Sequence, residues 1–381
     1  MLHVLKLMLA SLVVFALPSV AAAEPIRVRD ICVVPGILPP GQYNAITDVK
    51  GVRVGHYTMH RGERFHTGVT AIIPAPGNLR QDKVPAAVHI ANGYGKLAGI
   101  SQIVELGEIE TPIALTNTLN VGEGVAALVE WTLEQDGNED IRSVNAVVGE
   151  TNDGYLNDIR ARGLKKHHFR KAIEAAESGP VEEGNVGAGA GTIAFGWKGG
   201  IGSSSRGLPE AVGGWTVGVL VQANFGGVFS LDGAPIGQFL QQHYLRNTLQ
   251  QDPSADGSIM VVVATDAPLS DRNLERLAKR AIVGLARTGA TISDGSGDYV
   301  IAFSSNPSVR RVNDIPPANA SELSNRKMSP LFQAVAEATE EAIYNAMFMA
   351  EDVAGYKGTI SAIPVEQVRA LIAQKNYDSC E

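Results

Sequence analysis

The run Ser258-Ile259-Met260-Val261-Val262-Val263-Ala264-Thr265 constrains this chain more than any other segment. A strand that is apolar at successive positions has no solvent face, so it reads as a buried strand of an α/β protein. The residues before it have the opposite character. Gln251 to Asp256 is a polar stretch, and Gly257 stands between the two. A serine at such a boundary either simply begins the strand or becomes an N-terminal nucleophile after the chain cuts itself before Ser258. A free α-amine has a pKa of about 7.7–8.0 and sits beside its own hydroxyl, so an N-terminal serine carries its own general base. The surroundings suit the second reading. The polar stretch presents a scissile bond, the strand holds Ser258 still, and glycine at 257 tolerates the geometry of an N-to-O acyl shift.

The N-terminus reads as a targeting segment. Lys6 precedes the apolar run Leu7 to Leu17, and Ala21 and Ala23 are the small residues that suit cleavage before Glu24. The apolar run is short for a membrane span, which needs about 20 residues. The expectation is export to the periplasm, loss of residues 1–23 and no membrane association afterwards. A formal net charge of -8 and no long basic run argue against a nucleic-acid partner. The two cysteines, Cys32 and Cys380, lie near opposite ends and form no metal cluster.

Patterning predicts strands over 67–73, 86–90, 112–118, 143–149, 191–197, 215–223, 258–265 and 299–303. Helices are predicted over 121–134 and 168–178, from a Ser270 cap through Leu285, from a Ser329 cap with Pro330 in the first turn, and over 365–372. The order lacks the regular alternation of a doubly wound sheet or a barrel. The expected class is therefore α/β and layered, with helices outside two sheets. The 41 glycines concentrate in loops and suggest tight turns around a pocket.

Four further clusters carry candidate chemistry. Asn224 ends a strand before Gly226-Gly227. It either caps a turn or donates its amide to an oxyanion, a role worth roughly 2.7–4 kcal/mol. Gly295-Ser296-Gly297-Asp298 is a turn or a support for a nucleophile and its amine. Glu150-Thr151-Asn152-Asp153-Gly154-Tyr155 brings two carboxylates and a phenol together, which suits recognition of a substrate amine and carbonyl. Gly187 to Gly191 lacks phosphate-loop spacing and reads as close backbone packing beside a pocket. Lys165-Lys166-His167-His168 has no metal-ligand spacing, and neither a Gly-x-Ser-x-Gly elbow nor a His-Glu-x-x-His motif occurs. No metal and no cofactor is expected.

Several blocks together resemble the DmpA-like family of self-processing aminopeptidases (peptidase family S58), which includes the β-peptidyl aminopeptidases. They are Phe195 to Gly202, Val219 to Gly226, Gly257 to Leu269, Leu285 to Gly289 and Gly295 to Asp298. The resemblance implies a four-layer αββα sandwich like that of the DmpA and ornithine acetyltransferase fold, Ntn-hydrolase-like. It implies autocleavage between Gly257 and Ser258, giving chains 24–257 and 258–381 that stay in one domain. It further implies Ser258 as nucleophile, Asn224 as oxyanion donor, Tyr155 as the active-site tyrosine and Ser296 as supporting serine. Asp298 falls where some members have glutamate. Glu150 or Asp153 would pair with the substrate amine. The implied activity is release of N-terminal β-amino acids, β-alanyl residues first, from small peptides or amides with a free amine. A homo-oligomer is expected. The alternatives are an α-amino acid aminopeptidase or esterase-amidase, an acyltransferase related to ornithine acetyltransferase, and a periplasmic binding protein. A serine at 258 and the export signal count against the acyltransferase.

Overall fold

The computed structural model describes residues 24–246, 257–312, 315 and 322–373. The targeting segment 1–23, the polar stretch 251–256 and Cys380 lie outside them. Two sheets make the centre of the molecule. The first contains β1 (Arg53–Arg61), β2 (Phe65–Ile73), β4 (Leu97–Ala98), β6 (Ile113–Asn117) and β7 (Val147–Thr151), in the order β1-β2-β6-β7-β4. The second contains β3 (Asp82–Gly93), β5 (Glu108–Ile109), β10 (Gly200–Gly207), β11 (Thr216–Asn224), β12 (Ser258–Thr265), β13 (Gly297–Ser304) and β14 (Arg311–Val312). Its order is β10-β11-β12-β13-β3-β14, with β5 paired to β3. Two hairpins stand apart, β8–β9 (Ile193–Ala194 and Trp197–Lys198) and β15–β16 (Val353–Gly355 and Gly358–Ile360).

Helices cover both outer faces. α2 (Val121–Leu133) and α3 (Lys166–Glu174) lie on the first sheet, where Leu128, Phe169 and Ala172 pack on Val69, Ala71 and Val148. α5 (Asp271–Arg287) and α6 (Ser329–Phe348) lie on the second, where Leu274, Leu277 and Val335 pack on Val219, Val261 and Val300. Between the sheets, Ile72, Leu115 and Val147 meet Leu220, Met260 and Ile301. Three apolar layers between four structural layers make the αββα sandwich, and β12 is buried along its whole length. The short helices α1 (Ile100–Leu106), α4 (Ile236–Phe239) and α7 (Val365–Ala373) lie in connections and near the end of the described chain.

All but one of the predicted elements are present, with shifts that have physical causes; the strand predicted over 191–197 is instead the hairpin β8–β9, turned back by the left-handed residues Phe195 and Gly196. The strand predicted over 143–149 is β7, which starts at Val147 and runs to Thr151. The helix predicted over 168–178 is α3, which starts at Lys166 and ends at Glu174, leaving Ala175 exposed. Ser270 is the N-cap of α5, but its hydroxyl makes no capping hydrogen bond. Met328, not Ser329, caps α6, so Ser329 and Pro330 are its first residues.

Two long strands, β1 and β10, were not predicted, and β10 was invisible in the pattern. β10 reads Gly-Ile-Gly-Ser-Ser-Ser-Arg-Gly, a turn composition, yet all but its last residue are buried. Its glycines admit α6: a Cβ on Gly202 would lie 1.9 Å from the Ala342 carbonyl oxygen. Its serine hydroxyls bond inward, Ser203 to the Val219 carbonyl and Ser205 to Asp48. Arg206 is fully buried and reaches Glu337 at 3.2 Å and Glu341 at 2.7 Å, both on α6. Burial pushes the Glu341 carboxyl up, but hydrogen bonding from Arg29 and the charge of Arg206 outweigh it and hold it below its ordinary value. Removing one partner of such a buried pair strands the other charge, which costs about 3–5 kcal/mol. Arg206→Met is therefore expected to lower unfolding stability by about that much. Denaturant melts at pH 7 measure it, and a loss below about 1 kcal/mol would show that the carboxylates rely on their remaining partners.

Candidate active site

The site lies at one end of the second sheet, where three strand ends come into register. β11 and β12 are antiparallel with Asn224 opposite Ser258, and β12 and β13 are parallel with Ser258 beside Gly297. Residues far apart in sequence thus become neighbours. Directly opposed residues in an antiparallel pair put their side chains on one face, about 4.5–5.5 Å apart at Cβ. Ser258 shares its face with Met260 and Val262, which belong to the core between the sheets, so its hydroxyl faces the first sheet. Ser258 is 7% exposed. The Gly297 N–H donates to Ser258 Oγ at 3.1 Å, which leaves the serine's own proton free for a base.

Gly297 is a glycine for a steric reason. A Cβ there would lie 2.5 Å from Gly95 Cα and 3.4 Å from Ser258 Oγ. Gly95 is equally confined: a Cβ there would lie 2.9 Å from Gly297 Cα and 3.2 Å from Glu150 Oε1. Gly95 and Gly297 thus connect the Glu150 carboxylate at the end of β7 to the neighbourhood of Ser258. Glu150 is 2% exposed, accepts the Lys96 N–H at 2.9 Å and accepts the Thr118 hydroxyl. Gly257 is hemmed in as well, because a Cβ on it would come within 2.4 Å of Phe225 Cα and 2.7 Å of the Asn224 carbonyl oxygen.

Ser296 and Asp298 form a pair behind the nucleophile. The Ser296 hydroxyl donates to Asp298 Oδ2 at 2.5 Å, and the Ile259 N–H donates to Oδ1 at 3.2 Å. Burial pushes the Asp298 carboxyl up to about 6, with Ser296 and the Ile259 N–H acting against the shift. Asn224 is held through its oxygen: the Ile193 N–H donates to Oδ1 at 2.9 Å. That contact fixes which end of the amide is which, and leaves Nδ2 as the donor available to a substrate.

The remaining two predicted residues have other partners. Asp153 is buried and accepts from Asn157 Nδ2 at 2.9 Å. Burial pushes its carboxyl up to about 7, against hydrogen bonds from Thr67, Asn157 and Asn117. Lys198, fully buried, feels its charge. Asp153 thus belongs to an enclosed polar cluster, with its oxygens already engaged. Tyr155 is 42% exposed, and its hydroxyl lies against the β15–β16 hairpin, 2.9 Å from where a Cβ on Gly358 would sit. Sequence reasoning named Ser258, Asn224, Glu150, Ser296 and Asp298, which the fold brings to one end of the sandwich. It missed Gly95 and Ile193, which contribute backbone alone and leave no side-chain signal.

The peptidase family S58 model matches residues 44–361. The chain is 40% identical to the beta-peptidyl aminopeptidase BapA of Sphingosinicella microcystinivorans, over 93% of this chain and 94% of that one. A Burkholderia sp. beta-aminopeptidase structure superposes with a TM-score of 0.83 at 38% identity, covering 92% of this chain and 99% of that one. The L-aminopeptidase D-Ala-esterase/amidase of Ochrobactrum anthropi, described as a variant of the Ntn hydrolase fold, gives a TM-score of 0.82 at 36% identity with the same coverage. A strand-end serine among a backbone donor, an anchored amide and a buried carboxylate fits that company, and the chain belongs to peptidase family S58, a family of peptide-bond hydrolases.

Proposed function

We propose that the chain cuts itself between Gly257 and Ser258 and that the freed serine releases N-terminal β-amino acids from small peptides and amides. The observation that carries this reading is the register Asn224–Ser258–Gly297, which sets an amide donor, a hydroxyl and a backbone N–H side by side. The likeness to β-aminopeptidases supports the substrate class. In this scheme the freed α-amine of Ser258 takes the proton from its own Oγ as that oxygen attacks the substrate carbonyl carbon. Asn224 Nδ2 donates to the oxyanion. The amine passes its proton to the leaving nitrogen, the C–N bond breaks, and an ester on Ser258 remains. Water, deprotonated by the same amine, hydrolyses the ester and restores the serine. Asp298, held by the Ser296 hydroxyl, supplies negative charge beside the freed amine and orients it. Glu150 is assigned the substrate ammonium, because it lies across Gly95 from the nucleophile while Asp153 is enclosed with Lys198. Tyr155 stays on the rim. Export before processing, with the mature chains 24–257 and 258–381, completes the proposal.

Intact mass tests the cut. Two chains split before Ser258 are expected, Ser258→Ala should remain whole, and one unbroken active chain would reject the scheme. Gly257→Ala should slow cleavage at least tenfold, because the added Cβ meets the Phe225 backbone. Cleavage at the normal rate would show that the close fit is irrelevant.

The raised carboxyl of Asp298 gives a signed pH dependence. The carboxyl sits at about 6 in the uncut chain, and the freed ammonium of Ser258 lowers it, so kcat should fall as pH drops below about 6. The stability effect runs the other way. A carboxyl raised above its unfolded value stabilises the fold while protonated, and that contribution is lost as pH rises through about 6. Asp298→Asn should therefore lose activity and flatten the acid limb, and in the uncut Ser258→Ala background it should melt higher at pH 8, with the difference closing only below about pH 4. A parent-like acid limb in Asp298→Asn would assign it to another group.

The substrate class is tested with β-alanyl, L-alanyl and N-acetyl-β-alanyl p-nitroanilides. Turnover should favour the first and fail with the third, by at least about 100-fold, the scale of losing a charge-assisted contact. Preference for L-alanyl would keep the aminopeptidase and remove the β-specificity. Equal turnover of the acetylated compound would remove ammonium recognition.

A further inference from the structure

Lys198 is a charged side chain with 0% exposure, and the scheme above gives it no role. Its ammonium donates to two backbone carbonyls, Gly189 and Gly199, each at 2.8 Å. Those carbonyls flank the β8–β9 hairpin. The Gly199 N–H returns to the Thr192 carbonyl at 3.0 Å, and the Thr192 hydroxyl donates to the Gly189 carbonyl at 3.0 Å. The hairpin turns at Phe195-Gly196, both in the left-handed region with φ 52° and 85°, the geometry of a two-residue turn. From this hairpin the Ile193 N–H holds Asn224 Oδ1 and the Phe195 N–H holds the Phe225 carbonyl at 2.7 Å.

Burying an ammonium costs several kcal/mol unless hydrogen bonds and a counter-charge offset it. Burial lowers the Lys198 pKa to about 7, against the charge of Asp153. A fully buried lysine clamped on glycine carbonyls is an expensive way to fill space, since a methionine would fit at lower cost. The hairpin it braces bears directly on one active-site side chain.

We infer that Lys198 is a positioning residue for the oxyanion donor: its ammonium locks the Gly189 and Gly199 carbonyls, which fixes the Ile193 N–H and so aims Asn224 Nδ2 at the substrate oxygen. The inference rests on the assignment of Asn224 in the proposed function. Without the clamp, the amide has more freedom to rotate, and the transition state loses stabilisation that the ground state does not use.

A double-mutant cycle in the full-length protein tests it, with β-alanyl p-nitroanilide as substrate. Lys198→Met should lower kcat at least tenfold with KM within about twofold, the split expected for a contact made only in the transition state. Asn224→Ala should lower kcat about 10²–10³-fold. The double variant should be no slower than Asn224→Ala, because the clamp then has nothing to aim. For any variant whose precursor stays whole, the same cycle is read on the rate of precursor cleavage. Should Lys198→Met fail to fold, Thr192→Val loosens the same carbonyl and should give a smaller loss, about two- to fivefold, that also vanishes in the Asn224→Ala background. Losses that multiply in the double variant would overturn the positioning role while leaving Asn224 as the donor. Full activity in Asn224→Ala would overturn the assignment of Asn224 and the inference with it.

Discussion

The register of β12 between β11 and β13 is the constraint on which the site depends. A one-residue slip would turn Ser258 away from the first sheet and into the helix-facing core, because strand side chains alternate. The slip is prevented from both faces at once. Met260 and Val262 are committed to the layer between the sheets, while Ile259, Val261 and Val263 are committed to the layer under α5 and α6. Sheet pairing on both edges adds continuous ladders, antiparallel to β11 and parallel to β13. Ser258 is thus the first residue of a strand buried along its whole length, and its position follows from packing that has no chemical role.

Backbone approach is the second theme, and glycine is its means. Around Ser258, Gly95, Gly257 and Gly297 approach neighbouring backbone more closely than a Cβ would allow. Gly200 and Gly202 do the same for α6 against β10. In both places the omission of a side chain lets polar main-chain groups act directly, as donors to Ser258 Oγ at the site and as a sheet edge under a helix in the core. The conformational freedom of glycine in the unfolded chain makes such positions costly, so they serve where contact distance matters more than stability.

Buried charge is arranged by the same logic. Arg206, Glu337 and Glu341 are matched and hydrogen bonded, and they tie β10 to α6. Asp298 is different: it accepts hydrogen bonds but has no cation beside it among the described residues, and burial raises its carboxyl. A group that costs stability when ionised, placed beside Ser258, matches the role proposed for it in orienting the freed amine. Lys198 and Asp153 fall between these cases, since their burial resembles a structural pair while their hairpin leads to Asn224.

The string of residues by itself determined which segments become strands and helices wherever periodicity was strong. The apolar run of β12, the stripe Leu274, Leu277, Ala281 of α5 and the long face of α6 needed no tertiary knowledge. It also marked Ser258, Asn224, Ser296, Asp298 and Glu150, because a hydroxyl, an amide or a carboxylate beside glycines at strand ends is chemically conspicuous. Only the tertiary structure decided the rest. β10 has the composition of a turn and is a strand because Val219, Asn44 and Asp48 satisfy its serines and α6 covers its glycines. Asp153 and Glu150 are three residues apart and look equivalent, yet the chain leaves β7 between them, so one borders the nucleophile and the other is sealed with Lys198. Residues that act through a backbone N–H, such as Ile193 and Gly297, carry no side-chain signature, and their placement is a property of sheet register and hairpin packing that no local pattern encodes.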